Sequence, residues 1–192
     1  MGRFSTTVQV KTKANGAGFI DLFRDLIIKR GYAECSEDEA ELTYFLAFGG
    51  GGWATLASEL YTDGSSGYDD AIKLAEELKT AAVVVEVVDS DFATLKLHLP
   101  DDGKNVVWVG DASGYGIANP PKPKRSFWET LLTEGEMWEC FCEIATKRNV
   151  FVEDTLGELA PVLGIAPNLI CADHRDFLEN EYDGVTALYF KK

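Results

Sequence analysis

Stretches of period two and stretches of period three to four follow one another along this chain, and they predict strands and helices in turn. Residues 3–10 set polar positions against β-branched ones and read as a strand. Beyond a turn at 15–18, Phe19, Phe23, Leu26 and Ile27 recur at helical spacing. That helix is predicted over 19–30 and closes on Lys29, Arg30 and a C-cap at Gly31. An acidic loop follows at 35–39. Residues 42–48 are aromatic-rich and strand-like, glycines occupy 49–52, and 53–60 read as the antiparallel neighbour.

The pattern then repeats. After a turn-rich loop at 61–67, Asp69 is the expected N-cap of a helix over 69–80, with Ala71, Ile72, Ala75 and Leu78 facing inward. Residues 81–88 are the most apolar run and predict a central strand. Asp89, Ser90 and Asp91 turn the chain into 92–99. There Ala93, Leu95, Leu97 and Leu99 share one face, and Phe92, Thr94, Lys96 and His98 share the other. A turn at 101–103 leads into 105–109, which pairs back. The fold class is therefore α+β: a two-layer sandwich with a mostly antiparallel sheet in ferredoxin-like β-α-β-β-α-β order plus extra strands. Each helix has a single apolar stripe and right-handed crossovers are the rule, so both helices should lie on one face.

Three glycines and three prolines between 110 and 125 mark a boundary. The expected organisation is a sheet domain over 1–116, a Pro-rich linker over 117–125, and a helical C-terminal segment over 126–192 packing on the first domain. Ser126 with Glu129, and Thr133 with Glu136, both fit the S/T-x-x-E capping box. A further helix is predicted over about 152–160, stopping or bending near Pro161.

Composition narrows the function classes. The 192 residues suit one domain with a small appendage, and 46% apolar with 26% charged residues is a globular profile. The net charge of -14, from 32 acidic and 18 basic residues, opposes nucleic-acid binding through phosphate contacts. No run approaches the roughly 18 apolar residues of a membrane span, and the N-terminus lacks the apolar core of a signal peptide, so a cytoplasmic location is expected. Cys140 and Cys142 are two apart and point about 200° from each other on a helix. With Cys35, Cys171, His98 and His174 they form no zinc-ligand spacing, so free thiols are expected.

Candidate chemistry is sparse. Asp89 and Asp91 resemble the D-x-D metal-nucleotide motif of many glycosyltransferases and, with Asp111, could hold Mg²⁺ or Mn²⁺ through oxygen ligands. The nucleotide-binding half that precedes that motif is missing, and the simpler reading is a polar turn. The glycines at 49–52 lack the Lys-Ser/Thr of a phosphate loop and read as a hairpin connection or a close backbone approach. The loop at 110–116 mixes Asp111, Ser113 and Tyr115 with backbone freedom. Those three and Trp53 are the candidate contacts for a ligand or partner. His98 reads as a surface histidine and His174 as part of a solvated helix or turn; neither has a paired nucleophile. Residues 158–165 resemble the "LAxxLGI" stretch of helix-turn-helix domains. The segment that would enter DNA, 166–175, has one Arg and no Lys, so DNA binding is not expected.

Trp53 to Leu56, the acidic helix from Leu74 to Leu78, and the apolar run ending in Asp89, Ser90 and Asp91 are together similar to a family of cytoplasmic α/β proteins of Firmicutes-type bacteria. The resemblance covers about residues 50–116 and implies no activity, cofactor or site residue. Size and acidity are also similar to those of toxin-immunity proteins, by analogy alone. The expected function is a non-catalytic binding or interaction protein, with no cofactor, whose acidic surface meets a basic protein partner. The alternative is a divalent-metal-dependent transferase or hydrolase using Asp89 and Asp91. Oligomeric state is left open.

Overall fold

A computed structural model describes residues 2–192 apart from 15, 64, 102, 118, 119, 136 and 181. The expected turns at 15–18 and 101–103 thus fall partly outside the described residues. Its eight strands are β1 (Ser5–Lys11), β2 (Ala33–Glu34), β3 (Leu42–Ala47), β4 (Trp53–Ser58), β5 (Ala82–Val88), β6 (Phe92–His98), β7 (Lys104–Gly110) and β8 (Thr186–Lys191). They form one antiparallel sheet in the order β2-β8-β3-β4-β1-β5-β6-β7. The helices are α1 (Gly16–Lys29), α2 (Ser65–Glu77), α3 (Arg125–Trp128), α4 (Trp138–Ala145), α5 (Val152–Leu163) and α6 (His174–Glu179).

The α+β class is as the periodicity predicts. Phe19, Phe23, Leu26 and Ile27 of α1 and Ala71, Leu74 and Ala75 of α2 share one cluster with Val8, Val10, Leu56 and Val84 of the sheet. Both helices therefore cover the same face, and burying each large apolar side chain there contributes about 1.5–3 kcal/mol. The C-terminal helices cover the opposite face: Trp128, Phe141, Val152, Leu156 and Leu159 pack on Val83, Val85, Leu95, Leu97 and Val107. The alternation read over 92–99 sends its apolar side into this second core.

Several local expectations give way to tertiary contacts. α2 begins at Ser65, so Asp69 lies inside the helix rather than at its cap. Asp70 occupies the buried stripe, held by hydrogen bonds that the sequence pattern does not show. α3 starts after Lys124 with no side-chain cap, leaving Ser126 within the helix. Its position is set by β7, because the Lys124 N–H and the Trp128 indole both donate to Asn105 Oδ1 (3.2 and 2.8 Å). Thr133 donates instead to the Pro161 carbonyl, and Glu136 lies outside the described residues. The capping box belongs to α6, where Asp173 accepts from the Arg175 and Asp176 amides and Asp176 accepts from the Asp173 amide. α5 runs past Pro161 to Leu163 and ends on left-handed Gly164.

The helix-turn-helix resemblance fails because residues 165–173 are not helical. Sheet side chains hold that segment through its carbonyls, Gln9 Nε2 donating to Leu169 and Thr7 Oγ1 to Ile170, while Trp53 Nε1 donates to Leu163 at the end of α5. The glycine loop at 49–52 docks on the same segment. A Cβ on Gly51, whose φ is 62°, would lie 1.7 Å from the Gly164 carbonyl oxygen. The chain end supplies a further difference from an all-helical C-terminal segment, since β8 inserts between β2 and β3.

Candidate functional site

Asp89, Ser90 and Asp91 form the β5–β6 turn, and backbone geometry accounts for them first. Asp89 (φ 51°) and Ser90 (φ 57°) are both left-handed, and the Asp91 amide donates to the Val88 carbonyl at 3.1 Å. Two successive left-handed residues make the hairpin turn whose twist matches that of the strands. Side chains then tie the turn to its neighbours. Asp89 Oδ1 accepts from the Gly2 amide at 2.8 Å, while Ser90 Oγ accepts from the Arg3 amide and donates to Glu153, each at 2.7 Å.

The structure brings Tyr115 to this turn. Its hydroxyl donates towards Asp91 Oδ2 (3.2 Å) and Asp89 Oδ2 (3.4 Å), and desolvation followed by the two carboxylates raises its pKa. Asp111 is engaged elsewhere, accepting from the Ser113 amide at 2.9 Å and lying 3.4 Å from Arg148. The Ser113 hydrogen bonds, then Arg148, hold the Asp111 carboxyl below the usual range. Among the described residues, no three His, Cys, Asp or Glu side chains group closely enough to hold a metal ion. Trp53 is 3% exposed, with the Lys11 ammonium 4.9 Å above its ring, and belongs to the core rather than to a contact surface.

The most distinctive chemistry lies at the other end of β6, where the sequence pattern suggests only a surface histidine, His98. α2 packs on β1, β5 and the edge of β6, and connector residues approach the same face of β6–β7. Tyr115 rests on Phe92, with ring centroids 5.0 Å apart. Further along, Pro121 and Lys122 face Tyr68, Lys96 and Val106 across a cavity of about 360 Å³. A second cavity, of about 320 Å³, shares Tyr68, His98 and Lys104 with it and extends to Ile72 and Glu76 of α2. The first of these is the cleft between helix, sheet and connector, and its volume is within the size range of small-ligand sites.

Four ammonium groups surround this cleft: Lys96 on β6, Lys104 on β7, and Lys122 and Lys124 on the connector. Lys96 is paired with Glu86 at 2.7 Å. Lys104, Lys122 and Lys124 have no carboxylate within ion-pair distance among the described residues. His98 lies between them. It is 5% exposed, its ring meets Tyr68 edge-on at 4.6 Å, and its buried Nε2 has no hydrogen-bond partner. Burial first, then Lys104 and Lys96, lowers its pKa to about 4, so the imidazole is neutral at pH 7. The expectation of a surface histidine is thus corrected. Strand alternation placed the ring on the polar face but could not show Tyr68 packed over it. What the cleft offers chemically is clustered positive charge beside a neutral ring that can either donate or accept.

Comparison of the chain with protein-family models, curated proteins and solved structures finds no match. The site is therefore read from its own geometry. One sequence signal could have found it. Lys96, Lys104, Lys122 and Lys124 are four basic residues in a stretch that the hairpin fold brings together, within a chain of net charge -14.

Proposed function

We propose that the protein works by binding, and that the lysine-lined cleft takes a small anionic ligand bearing a phosphate- or carboxylate-type group. The observation that carries this reading is the gathering of Lys96, Lys104, Lys122 and Lys124 around one cavity of about 360 Å³. Like charges held together repel, and an anion among them relieves that repulsion while gaining Coulomb energy from each. Lysine serves such sites as a compact point charge. Size selects the ligand further. Beyond about 10 Å, the screening length at 0.1 M salt, a long polyanion meets the acidic remainder of the surface, whereas a small anion inside the cleft senses mainly the lysines.

Sulfate is a suitable probe because its charge is constant across the working pH range. Titration followed by amide NMR should show saturable shifts at residues 96, 104 and 122 that weaken as salt rises. Reversing Lys104 and Lys122 together, both exposed, should lower affinity about a hundredfold and leave the melting temperature nearly unchanged. No saturation at about 50 mM sulfate would remove the reading.

A basic protein partner is the second reading. Glu34, Glu37, Asp38, Glu39 and Glu41 crowd the exposed edge at β2, although Arg24 and Lys191 already pair with Glu34 and Glu39. Here a lysine-rich peptide should bind and lose most of its affinity when Glu37 and Asp38 are reversed. Equal affinity for the two proteins would count against it.

A further inference from the structure

We infer, on the basis of the anion-binding reading above, that the ligand of the lysine-lined cleft is amphiphilic. Its anionic head lies on the ammonium groups and a short apolar body lies against Tyr68, Val106 and Pro121. Strand alternation decides which side chains reach the cavity. Val106 stands opposite Lys96 in the β6–β7 ladder and Lys104 stands opposite His98, so all four project from one face of the sheet. Leu95, Leu97 and Val107 project from the other face, into the core under the C-terminal helices. The Tyr68 ring of α2 stands over the same face as Val106: it meets His98 at 4.6 Å and lies 5.9 Å from the Lys96 ammonium.

These walls are within a ligand's reach. Tyr68 and Val106 are half-buried and Pro121 is exposed, and all three line the cavity of about 360 Å³ together with Lys96, Lys104 and Lys122. A sulfate-sized head fills only part of a volume that lies in the range of whole small molecules. The rest of the wall is an aromatic ring, a branched aliphatic side chain and a pyrrolidine ring. A charged head gains little from such surfaces, whereas an apolar body releases the water that covers them. The lysine stems extend the wall, because their methylenes lie along it while the ammonium stays in water. Charge and wall together fit one class, a small organic anion with a hydrocarbon body.

Methyl sulfate and pentyl sulfate are the probes, since they share one head and one charge and differ only in the body. A fully buried methylene raises affinity about fourfold and a half-buried one about twofold. Pentyl sulfate should therefore bind the full chain at least about tenfold more tightly at equal ionic strength, read from the amides of residues 96, 104 and 106. Val106→Thr keeps the branched shape and strand preference but adds a hydroxyl. It should cut the preference for the longer chain at least about threefold and leave methyl sulfate affinity unchanged. Pro121→Ser, on the exposed connector, should act in the same direction without touching the sheet. Reversing Lys104 and Lys122 should weaken both probes by a similar factor, because the head is common to them. Phosphatidylglycerol vesicles should not bind, because a chain of net charge -14 is repelled by an anionic bilayer. Failure of sulfate and methyl sulfate alike to bind would remove the anion-binding reading, and this inference with it. Where methyl sulfate binds, the inference alone is overturned by equal affinity for the two alkyl sulfates, by an unchanged chain-length preference in either variant, or by binding to the vesicles.

Discussion

Asp70→Ala should cost about 3–5 kcal/mol, which is a large share of the roughly 5–15 kcal/mol that holds a domain folded. Asp70 is 6% exposed and is the common acceptor for Arg30, Tyr44 and Tyr61. Removing it leaves a guanidinium with no counter-ion and two buried hydroxyls with no acceptor. The penalty for groups left unpaired exceeds what the pair contributed while intact. Both tyrosines show the same environment from the other side: burial first, then the Asp70 charge, pushes their pKa values up. Asp70→Asn keeps an acceptor for the tyrosines and should lose less. Urea unfolding of the three proteins measures the differences. A loss below about 1 kcal/mol for the alanine variant would show that water replaces the carboxylate and that the network is not buried as described.

Stability should also fall as pH drops from about 6.5 to about 4, and His98 should account for as much as about 3 kcal/mol of that fall. The folded-state pKa lies below the unfolded one, so above pH 6.5 the ring is neutral in both states and stability is independent of its protonation. Between the two values the unfolded chain binds a proton that the folded chain excludes, which favours unfolding. Below about 4 both states carry the proton and the loss levels off. Carboxylates titrate in the same window, so the informative quantity is the difference between the natural protein and His98→Gln. That difference should change through the window and be flat above pH 7. A difference independent of pH would mean that the imidazole is solvated and titrates as an exposed histidine does.

Much of the secondary structure is legible in the sequence. Alternation of period two over 3–10 and 92–99 yields β1 and β6, because a strand sends successive side chains to opposite faces, and the aromatic-rich run 42–48 with its neighbour 53–60 yields β3 and β4. The stripe of Phe19, Phe23, Leu26 and Ile27 yields α1 for the corresponding helical reason. The short β2 and the last strand, β8, escape such reading. β8 mixes buried Leu188 and Phe190 with half-buried neighbours and follows a run of helices, so its pattern is read in the wrong context. Asp70 and Ser126 escape for another reason: capping and stripe rules count local spacing, and both residues take the positions that distant partners impose.

The chain holds the four lysines of the cleft in view, but not their meeting. The lysines of the cleft come from β6, β7 and the connector, and Arg30 meets Asp70 across forty positions of sequence. The sequence by itself determined the α+β class, the shared face of α1 and α2, the hairpin at Asp89, Ser90 and Asp91, and the acidity of the surface. Only the tertiary structure decided that His98 is buried, that Trp53 belongs to the core, that the C-terminal helices cover the second face, and that cations gather around one cavity. The physical reason is range. Periodicity and turn chemistry act within a few residues, whereas burial, desolvation and charge pairing depend on which surfaces the folded sheet brings together.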